Sequence, residues 1–305
     1  MKGIFLPGSA EMKAIGRFEG FDPMTDFIDL HTHTTASDGT MGPVELVRHA
    51  KACGLKAIAI TDHDTLDGVE EALKEGGKEG IEVVPGVEIS VEFKPEMHLL
   101  GYFFGNTHKN IEPLLKLLRE SRERRNPKIV NKLNELGFSI TMAEVEAEAK
   151  GNVVGRPHIA KVLLDKGYVK NIQEAFQRFL ASGRPAFEKK SKLNPEEGIQ
   201  EILKAGGVPV LAHPIHLYLS WSQLDSLLGE LKSFGLKGIE TYYVDNTPAD
   251  TGKLMRLAIK YDLLMTGGSD FHGSFKPDIR LGKGKGNLKI PYELLEKLRY
   301  KNPIL

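Results

Sequence analysis

The sequence predicts an α/β barrel that carries a helical insert. Short apolar, β-rich runs alternate with helical patterns at both ends of the chain, the order that builds a parallel sheet or barrel. The alternation stops between about Asn106 and Lys190, where helical stretches follow one another without a strand. The 305 residues suffice for one large domain or one domain with an insert. The expected layout is therefore an α/β body, a parallel sheet or barrel, of residues 24–105 and 191–305, a helical insert over 106–190, and an N-terminal extension over 1–23 with no function assigned.

Taken in order, Phe27–Leu30 reads as the first strand. A helix over Pro43–Cys53 follows, with proline near its first turn and Gly54 at its end. Ala57–Ile60 is short and wholly apolar, a buried strand. Val69–Glu79 is helical. Ile81–Val84, Val87–Phe93 and His98–Phe104 read as three strands. The insert reads as helices over Ile111–Arg125, Lys128–Leu136, Met142–Ala149, His158–Asp165 and Ile172–Leu180. The barrel resumes with strands at Val208–Ala212, Gly238–Thr241 and Leu263–Met265, each preceded by a helical stretch.

Composition excludes several classes of function. Lys+Arg and Asp+Glu are both 41, so the formal net charge is zero. A protein that grips long duplex nucleic acid by bulk electrostatics would show a basic excess. A small or short anionic ligand stays open. Cys53 is the one cysteine, which rules out an intrachain disulfide and a thiolate zinc cluster. No apolar run approaches the roughly 20 residues of a membrane helix. Residues 1–23 carry Lys2, Glu11, Lys13, Arg17 and Glu19 without an apolar core and do not read as a signal peptide. A cytoplasmic protein that contacts no membrane is expected; its oligomeric state is not legible.

The chemistry lies in the placement of imidazoles and carboxylates. Asp29-Leu30-His31-Thr32-His33 ends the first strand, and strand residues two apart share a face about 6–7 Å apart. Asp38 follows in the next loop. Thr61-Asp62-His63-Asp64 succeeds the second strand, Glu88 lies in Gly86-Val87-Glu88-Ile89-Ser90, and His98 opens another strand. His213-Pro214 and Ser269-Asp270-Phe271-His272 each follow a later strand. Function in α/β barrels gathers at the C-terminal ends of strands. So many ionisable groups buried at one rim would cost several kcal/mol each unless metal ions compensated them. Imidazole and carboxylate without thiolate suit Mn²⁺, Fe²⁺ or Zn²⁺. The candidates are too many for one ion; at about four to six ligands each, two or three divalent ions fit. Multinuclear sites of this kind typically cleave phosphate esters.

His31-x-His33, Asp62-His63, Glu88, His213-Pro214 and Asp270-x-His272 resemble the motifs of the PHP (polymerase and histidinol phosphatase) superfamily, over roughly 24–104 and 191–290. Asp29–Thr34, Ser37-Asp38-Gly39, Thr61–Asp64 and Gly155-Arg156-Pro157-His158-Ile159-Ala160 are most similar to the branch of nucleoside 3′,5′-bisphosphate and AMP phosphatases, some of which are 5′→3′ exonucleases on short oligonucleotides. The resemblance implies a distorted (β/α)7 barrel with a trinuclear site. His31, His33, Glu88 and Asp270 would hold one ion; Asp38, His63 and His272 a second; Glu88, His98 and His213 a third. Some relatives carry histidine where this chain has Asp38, and the extra negative charge favours Mn²⁺ or Fe²⁺ over Zn²⁺.

The reaction implied is hydrolysis of a phosphomonoester of a small nucleotide, a nucleoside 3′,5′-bisphosphate or an AMP-like compound, by attack of a water that bridges the metals. Glu88, His272 and Asp64 form the expected catalytic set, with Asp64 orienting a ligand or the water. Competing readings are 5′→3′ trimming of short oligonucleotides, histidinol phosphatase, and a non-catalytic PHP module. The last would be marked by lost ligands, whereas every ligand position here carries a ligating side chain.

Substrate contacts are expected from the insert. Gly155-Arg156-Pro157-His158 opens a helix, and a helix N-terminus beside an arginine suits phosphate, so Arg156 and His158 are candidates. Arg184, in Ser182-Gly183-Arg184-Pro185, is a similar one. The basic run Arg119, Arg122, Arg124, Arg125 and Lys128, interleaved with Glu120 and Glu123, reads as a solvated helix face. Tyr242 and Tyr243, after Glu240 at a strand end, could stack on a base. Gly282-Lys283-Gly284-Lys285-Gly286 reads as a loop.

Overall fold

The computed structural model describes residues 26–149, 153–189 and 193–300, so the expected N-terminal extension lies outside the described residues. Seven strands form one sheet in sequence order: β1 (Ile28–Asp29), β2 (Ala57–Ile60), β3 (Glu82–Val91), β4 (Met97–Phe103), β5 (Gly207–Leu211), β6 (Gly238–Tyr243) and β7 (Leu264–Gly268). Main-chain bonds draw β7 back onto β1. Leu30 N–H donates to Gly267 O at 3.0 Å, Asp270 N–H to His31 O at 2.9 Å, and His33 N–H to Phe271 O at 3.0 Å. The sheet is therefore a nearly closed barrel. Glycine makes the closure possible: a Cβ on Gly268 would collide with the His31 Cβ and backbone, and one on Gly267 would collide with Tyr242 at 2.5 Å.

Among the described residues, ten helices accompany the strands: α1 (Pro43–Ala52), α2 (Val69–Glu79), α3 (Glu112–Glu135), α4 (Met142–Ala149), α5 (Arg156–Asp165), α6 (Ile172–Ala175), α7 (Pro195–Lys204), α8 (Trp221–Ser233), α9 (Pro248–Lys260) and α10 (Glu293–Tyr300). Period-two alternation splits the strand side chains between two cores. Ile58, Ile60, Ile89 and Leu211 face outward, where Leu46 and Val47 of α1, Ile199 and Ile202 of α7, and Leu228 and Leu231 of α8 cover them. Ala57, Ala59, Leu100, Val208 and Val210 pack inward with Leu294, Leu295 and Leu298 of α10.

Three local expectations are corrected. Residues 82–91 form one strand rather than two, because Pro85 and Gly86 continue the pairing, the former opposite Ile60 and the latter opposite Tyr102. β4 runs antiparallel to both β3 and β5, whereas the other neighbours are parallel. The link from Val91 to Met97 is far too short for a parallel crossover. The reversal has a functional consequence: His98, at the start of β4, comes to the same rim as the residues that follow the parallel strands. Third, α3 is one helix running through Pro127 rather than two. A proline there sacrifices a helical hydrogen bond. Packing on both sides overrides that loss, since Leu114, Leu115 and Leu118 join the barrel's outer core while Ile129, Val130 and Leu133 join a separate cluster built from residues 129–186.

Candidate metal centre

The strand ends deliver the expected side chains to one place. His31 and His33 follow β1, His63 follows β2, Glu88 lies within β3, His98 within β4, His213 follows β5, and Asp270 and His272 follow β7. Asp38, in the loop before α1, closes the set. His31, His33, Asp38, Glu88, His213, Asp270 and His272 are all buried. Asp64, His213 and Asp270 have positive φ, at 55°, 26° and 53°. Left-handed backbone at a residue other than glycine is strained, and such residues cluster where function over-determines the geometry.

Three groups of ligand atoms result. His31 Nε2 and His33 Nε2 lie 3.3 and 3.2 Å from Glu88 Oε2, and 3.7 and 3.3 Å from Asp270 Oδ1. Asp38 lies 3.3 Å from His272 Nε2, 3.9 Å from His63 Nε2 and 3.7 Å from His33 Nδ1. Glu88 Oε1 lies 2.8 Å from His98 Nδ1 and 3.0 Å from His213 Nε2, which are 3.3 Å apart. Ligands bonded at about 2.0–2.2 Å to one ion stand roughly 3–3.5 Å from each other. The two oxygens of Glu88 serve different groups, as a bridging carboxylate does. Buried ring nitrogens test the fit: His31 Nε2, His33 Nε2 and His63 Nδ1 make no hydrogen bond despite this proximity to carboxylate oxygens. Such orphaned lone pairs are costly unless an ion receives them. The residues present fit divalent metal ions.

Electrostatics agree. Burial alone would raise the pKa values of Asp38, Glu88 and Asp270, yet the surrounding imidazoles, with Lys276 at Asp270, hold all three well below the carboxylate range. Burial would lower those of the histidines. For His33 and His98 the carboxylates prevail and raise the values to about 9; His31 is also raised, by Glu240, Glu88 and Asp270. Burial prevails at His63, lowered to about 3, and at His213 and His272. Imidazolium thus balances carboxylate, and cations entering the site displace protons.

A surrounding layer orients the candidate ligands, and sequence reading missed most of it. Glu240 on β6 is fully buried; it lies 3.1 Å from His31 Nδ1 and accepts from the His213 backbone N–H at 2.7 Å. Holding Nδ1 protonated aims the His31 Nε2 lone pair inward. Tyr243 Oη donates to Asp270 Oδ2 at 2.9 Å, and Lys276 Nζ donates to the same oxygen at 2.6 Å, leaving Oδ1 toward the histidines. Tyr243 is buried and so does not stack on a base, correcting that expectation. Asp62 is a scaffold: it accepts from Thr34 N–H, Thr34 Oγ1 and Ser37 Oγ at 2.6–2.7 Å, fixing the loop that carries Asp38.

A cavity of about 800 Å³ opens on the cluster, lined by Asp38, His63, His98 and His272 and by Arg122, Arg125 and Arg156. The expectation of a solvated basic face on α3 is corrected for Arg122 and Arg125, which are buried. For Arg122 the reason is Asp64: its carboxylate accepts from Arg122 Nε at 2.6 Å, and its backbone oxygen from Arg119 Nη1 at 3.2 Å. Asp64 therefore stands beside His63 as the counter-charge of Arg122. Arg125 donates to Asn126 Oδ1 at 2.7 and 3.1 Å and forms no ion pair among the described residues. Burial, then the Arg122 and Arg156 charges, pull its pKa down to about 9. Arg156 pairs with Glu96 at 2.8 Å. Two substrate candidates lie elsewhere. His158 Nδ1 accepts from Gly155 N–H at 3.0 Å, capping α5, and lines a separate small cavity with Phe275. Arg184 is exposed and does not line the main cavity.

A family model described as the PHP domain matches residues 29–203. The chain belongs to the PHP family. It is 36% identical over 250 residues to a 5′-3′ exoribonuclease of Haemophilus influenzae, covering 82% of this chain and 91% of that one. It is 29% identical over 254 residues to a 3′,5′-nucleoside bisphosphate phosphatase of Chromobacterium violaceum, covering 80% and 87%. A solved structure from Bifidobacterium adolescentis, described as a metal-dependent phosphoesterase, superposes with a TM-score of 0.80 at 31% identity, covering 91% of this chain and 96% of that one. This PHP protein is a metal-dependent phosphoesterase, hence a hydrolase. No helix among its described residues is long and apolar enough to cross a membrane.

Proposed function

We propose that the protein hydrolyses the ester of a nucleotide that carries a second phosphate, with a nucleoside 3′,5′-bisphosphate as the simplest substrate. The observation that carries this reading is Arg125: a buried guanidinium that forms no ion pair among the described residues, in the same cavity as Arg122, Arg156 and the candidate metal ligands. A buried, unpaired cation is costly and an incoming anion relieves it. A guanidinium also matches phosphate geometry bidentately. One phosphate then sits at the histidine–carboxylate cluster and the other at the arginines. A single-phosphate nucleotide such as AMP leaves the arginines unfilled. The ammonium of histidinol phosphate is repelled by them.

Two or three divalent ions, with Mn²⁺ or Fe²⁺ favoured over Zn²⁺, would supply Lewis-acid charge and a water of lowered pKa at the phosphate undergoing attack. His31, His33, Glu88 and Asp270, then Asp38, His63 and His272, then Glu88, His98 and His213 would hold them. Glu240, Tyr243 and Lys276 fix the orientation of the ligands. Arg122, positioned by Asp64, and Arg125 hold the second phosphate and so place the ester. A second reading, removal of the 5′ nucleotide from a short 5′-phosphorylated oligonucleotide, is favoured by the resemblance to the Haemophilus enzyme; both substrates share a 5′-phosphate next to a 3′-ester.

Product release from adenosine 3′,5′-bisphosphate, AMP, histidinol phosphate and a 5′-phosphorylated trinucleotide, with Mn²⁺, tests the proposal. The bisphosphate is expected to exceed AMP in kcat/KM. Arg125→Ala is expected to cost it about 10- to 100-fold, the worth of a hydrogen-bonded charge, while sparing AMP. Equal loss on both substrates refutes the second-phosphate seat.

A further inference from the structure

His213 is followed by a 3-10 turn, Pro214–Leu217, and then by Tyr218. Tyr218 is 83% exposed, and its backbone is left-handed at φ 51°, a conformation rare for a bulky residue. It ends a series of aromatic rings that leads out of the metal centre. His213 lies 5.2 Å from His216 at 35°, and His216 lies 6.5 Å from Tyr218 at 19°, nearly parallel. The His216 ring is itself fixed, by Asp245 Oδ2 at 3.0 Å from Nε2 and by Tyr243 edge-on at 5.1 Å. Asp245 in turn accepts from Lys285, which lines the main cavity, at 2.6 Å.

We propose that His216 and Tyr218 form a stacking shelf for a nucleobase on the far side of the cleaved ester, so that the protein takes 5′-phosphorylated oligonucleotides as well as bisphosphates. The inference rests on the function proposed above. With the 5′-phosphate at the arginines and the 3′-phosphorus at the metal cluster, the His213–His216–Tyr218 series is the path this proposal gives a further nucleotide. An exposed ring in that path, nearly parallel to the fixed His216 ring, presents a face to a base, and base–aromatic stacking tolerates every sequence. The reaction is the same for both substrates. Water adds its oxygen to phosphorus, the P–O3′ bond breaks, and the departing 3′-oxygen takes up a proton. The first nucleotide leaves as a 5′-monophosphate, and the remainder keeps the new 5′-phosphate.

The test compares wild type, Tyr218→Ala and Tyr218→Phe on three substrates: adenosine 3′,5′-bisphosphate, a 5′-phosphorylated trinucleotide, and that trinucleotide made abasic at its second position. Tyr218→Ala is expected to lower kcat/KM on the intact trinucleotide by roughly 5- to 100-fold, the range that stacking spans. The bisphosphate, which has no second base, loses nothing, and Tyr218→Phe restores the trinucleotide rate. Wild type loses a similar factor on the abasic substrate, and the alanine variant loses no more there. Equal losses on all three substrates, or none on the intact trinucleotide, overturn the shelf. If wild type cleaves the bisphosphate but not the trinucleotide, the shelf fails and the second-phosphate reading stands. If it cleaves neither, that reading fails and takes the shelf with it.

Discussion

Glu240→Gln isolates how much of the metal centre depends on a residue that touches no ion. The two side chains have nearly the same volume, so no cavity is created. Glu240 faces two donors, the His31 Nδ1–H and the His213 backbone N–H, one on each oxygen. Glutamine has one oxygen. If that oxygen serves His213, its amide NH₂ meets His31 Nδ1, and the ring must shift its proton to Nε2, the atom that should hold metal. If it serves His31, two donors collide at His213. A buried donor left unsatisfied costs about 1–3 kcal/mol. That matches the 10- to 100-fold loss of affinity typical of partners behind metal ligands, or about 1.4–2.7 kcal/mol. Calorimetric titration of metal-stripped protein with Mn²⁺ measures it, with near-ultraviolet circular dichroism to show that the fold persists. Wild-type affinity in the glutamine variant would refute the orientation of His31 by Glu240.

Three further outcomes are expected. Mn²⁺ uptake should release protons and strengthen as pH rises from 6 toward 9: His33 and His98, raised to about 9, are protonated below that value and must be neutral to bind metal. Affinity independent of pH over that range contradicts this assignment. Gly268→Ala should destabilise the fold by about 2 kcal/mol or more and weaken metal binding, since its Cβ occupies the place of His31; an unchanged melting temperature counts against closure of β7 on β1. Asp64→Asn should cost about 3–5 kcal/mol of stability, because it leaves Arg122 buried without its counter-charge. Thermal unfolding reads that loss, and a shift smaller than that of a surface substitution removes the pair from the scaffold.

The convergence of the candidate ligands on one rim was legible in the sequence because metal chemistry restricts residue type and strand geometry restricts spacing. His31 and His33, or Asp270 and His272, can serve neighbouring sites only from an i, i+2 arrangement at a strand end. His98 was legible by type but not by place, since its position at the shared rim depends on the reversal of β4. The arginines were misread for a related reason. Arg122 and Arg125 have the spacing of an exposed basic face; the tertiary position of Asp64 turns Arg122 inward, and Arg125 is buried beside it on Asn126. Glu240 and Lys276 act through Coulomb and hydrogen-bond contacts with residues far along the chain, and no local pattern marks such partners. The join between barrel and insert was blurred because α3 belongs to both cores, and its buried halves carry the helix through Pro127.

The most direct test of the centre is turnover of adenosine 3′,5′-bisphosphate by protein whose metal content has been measured, before chelation, after it, and after Mn²⁺ is restored. Hydrolysis by a metal cluster on His31, Glu88, His213 and Asp270 predicts phosphate release that vanishes with the metal and returns with it, and that does not return in a Glu88→Ala variant. Undiminished release by metal-free protein would contradict it.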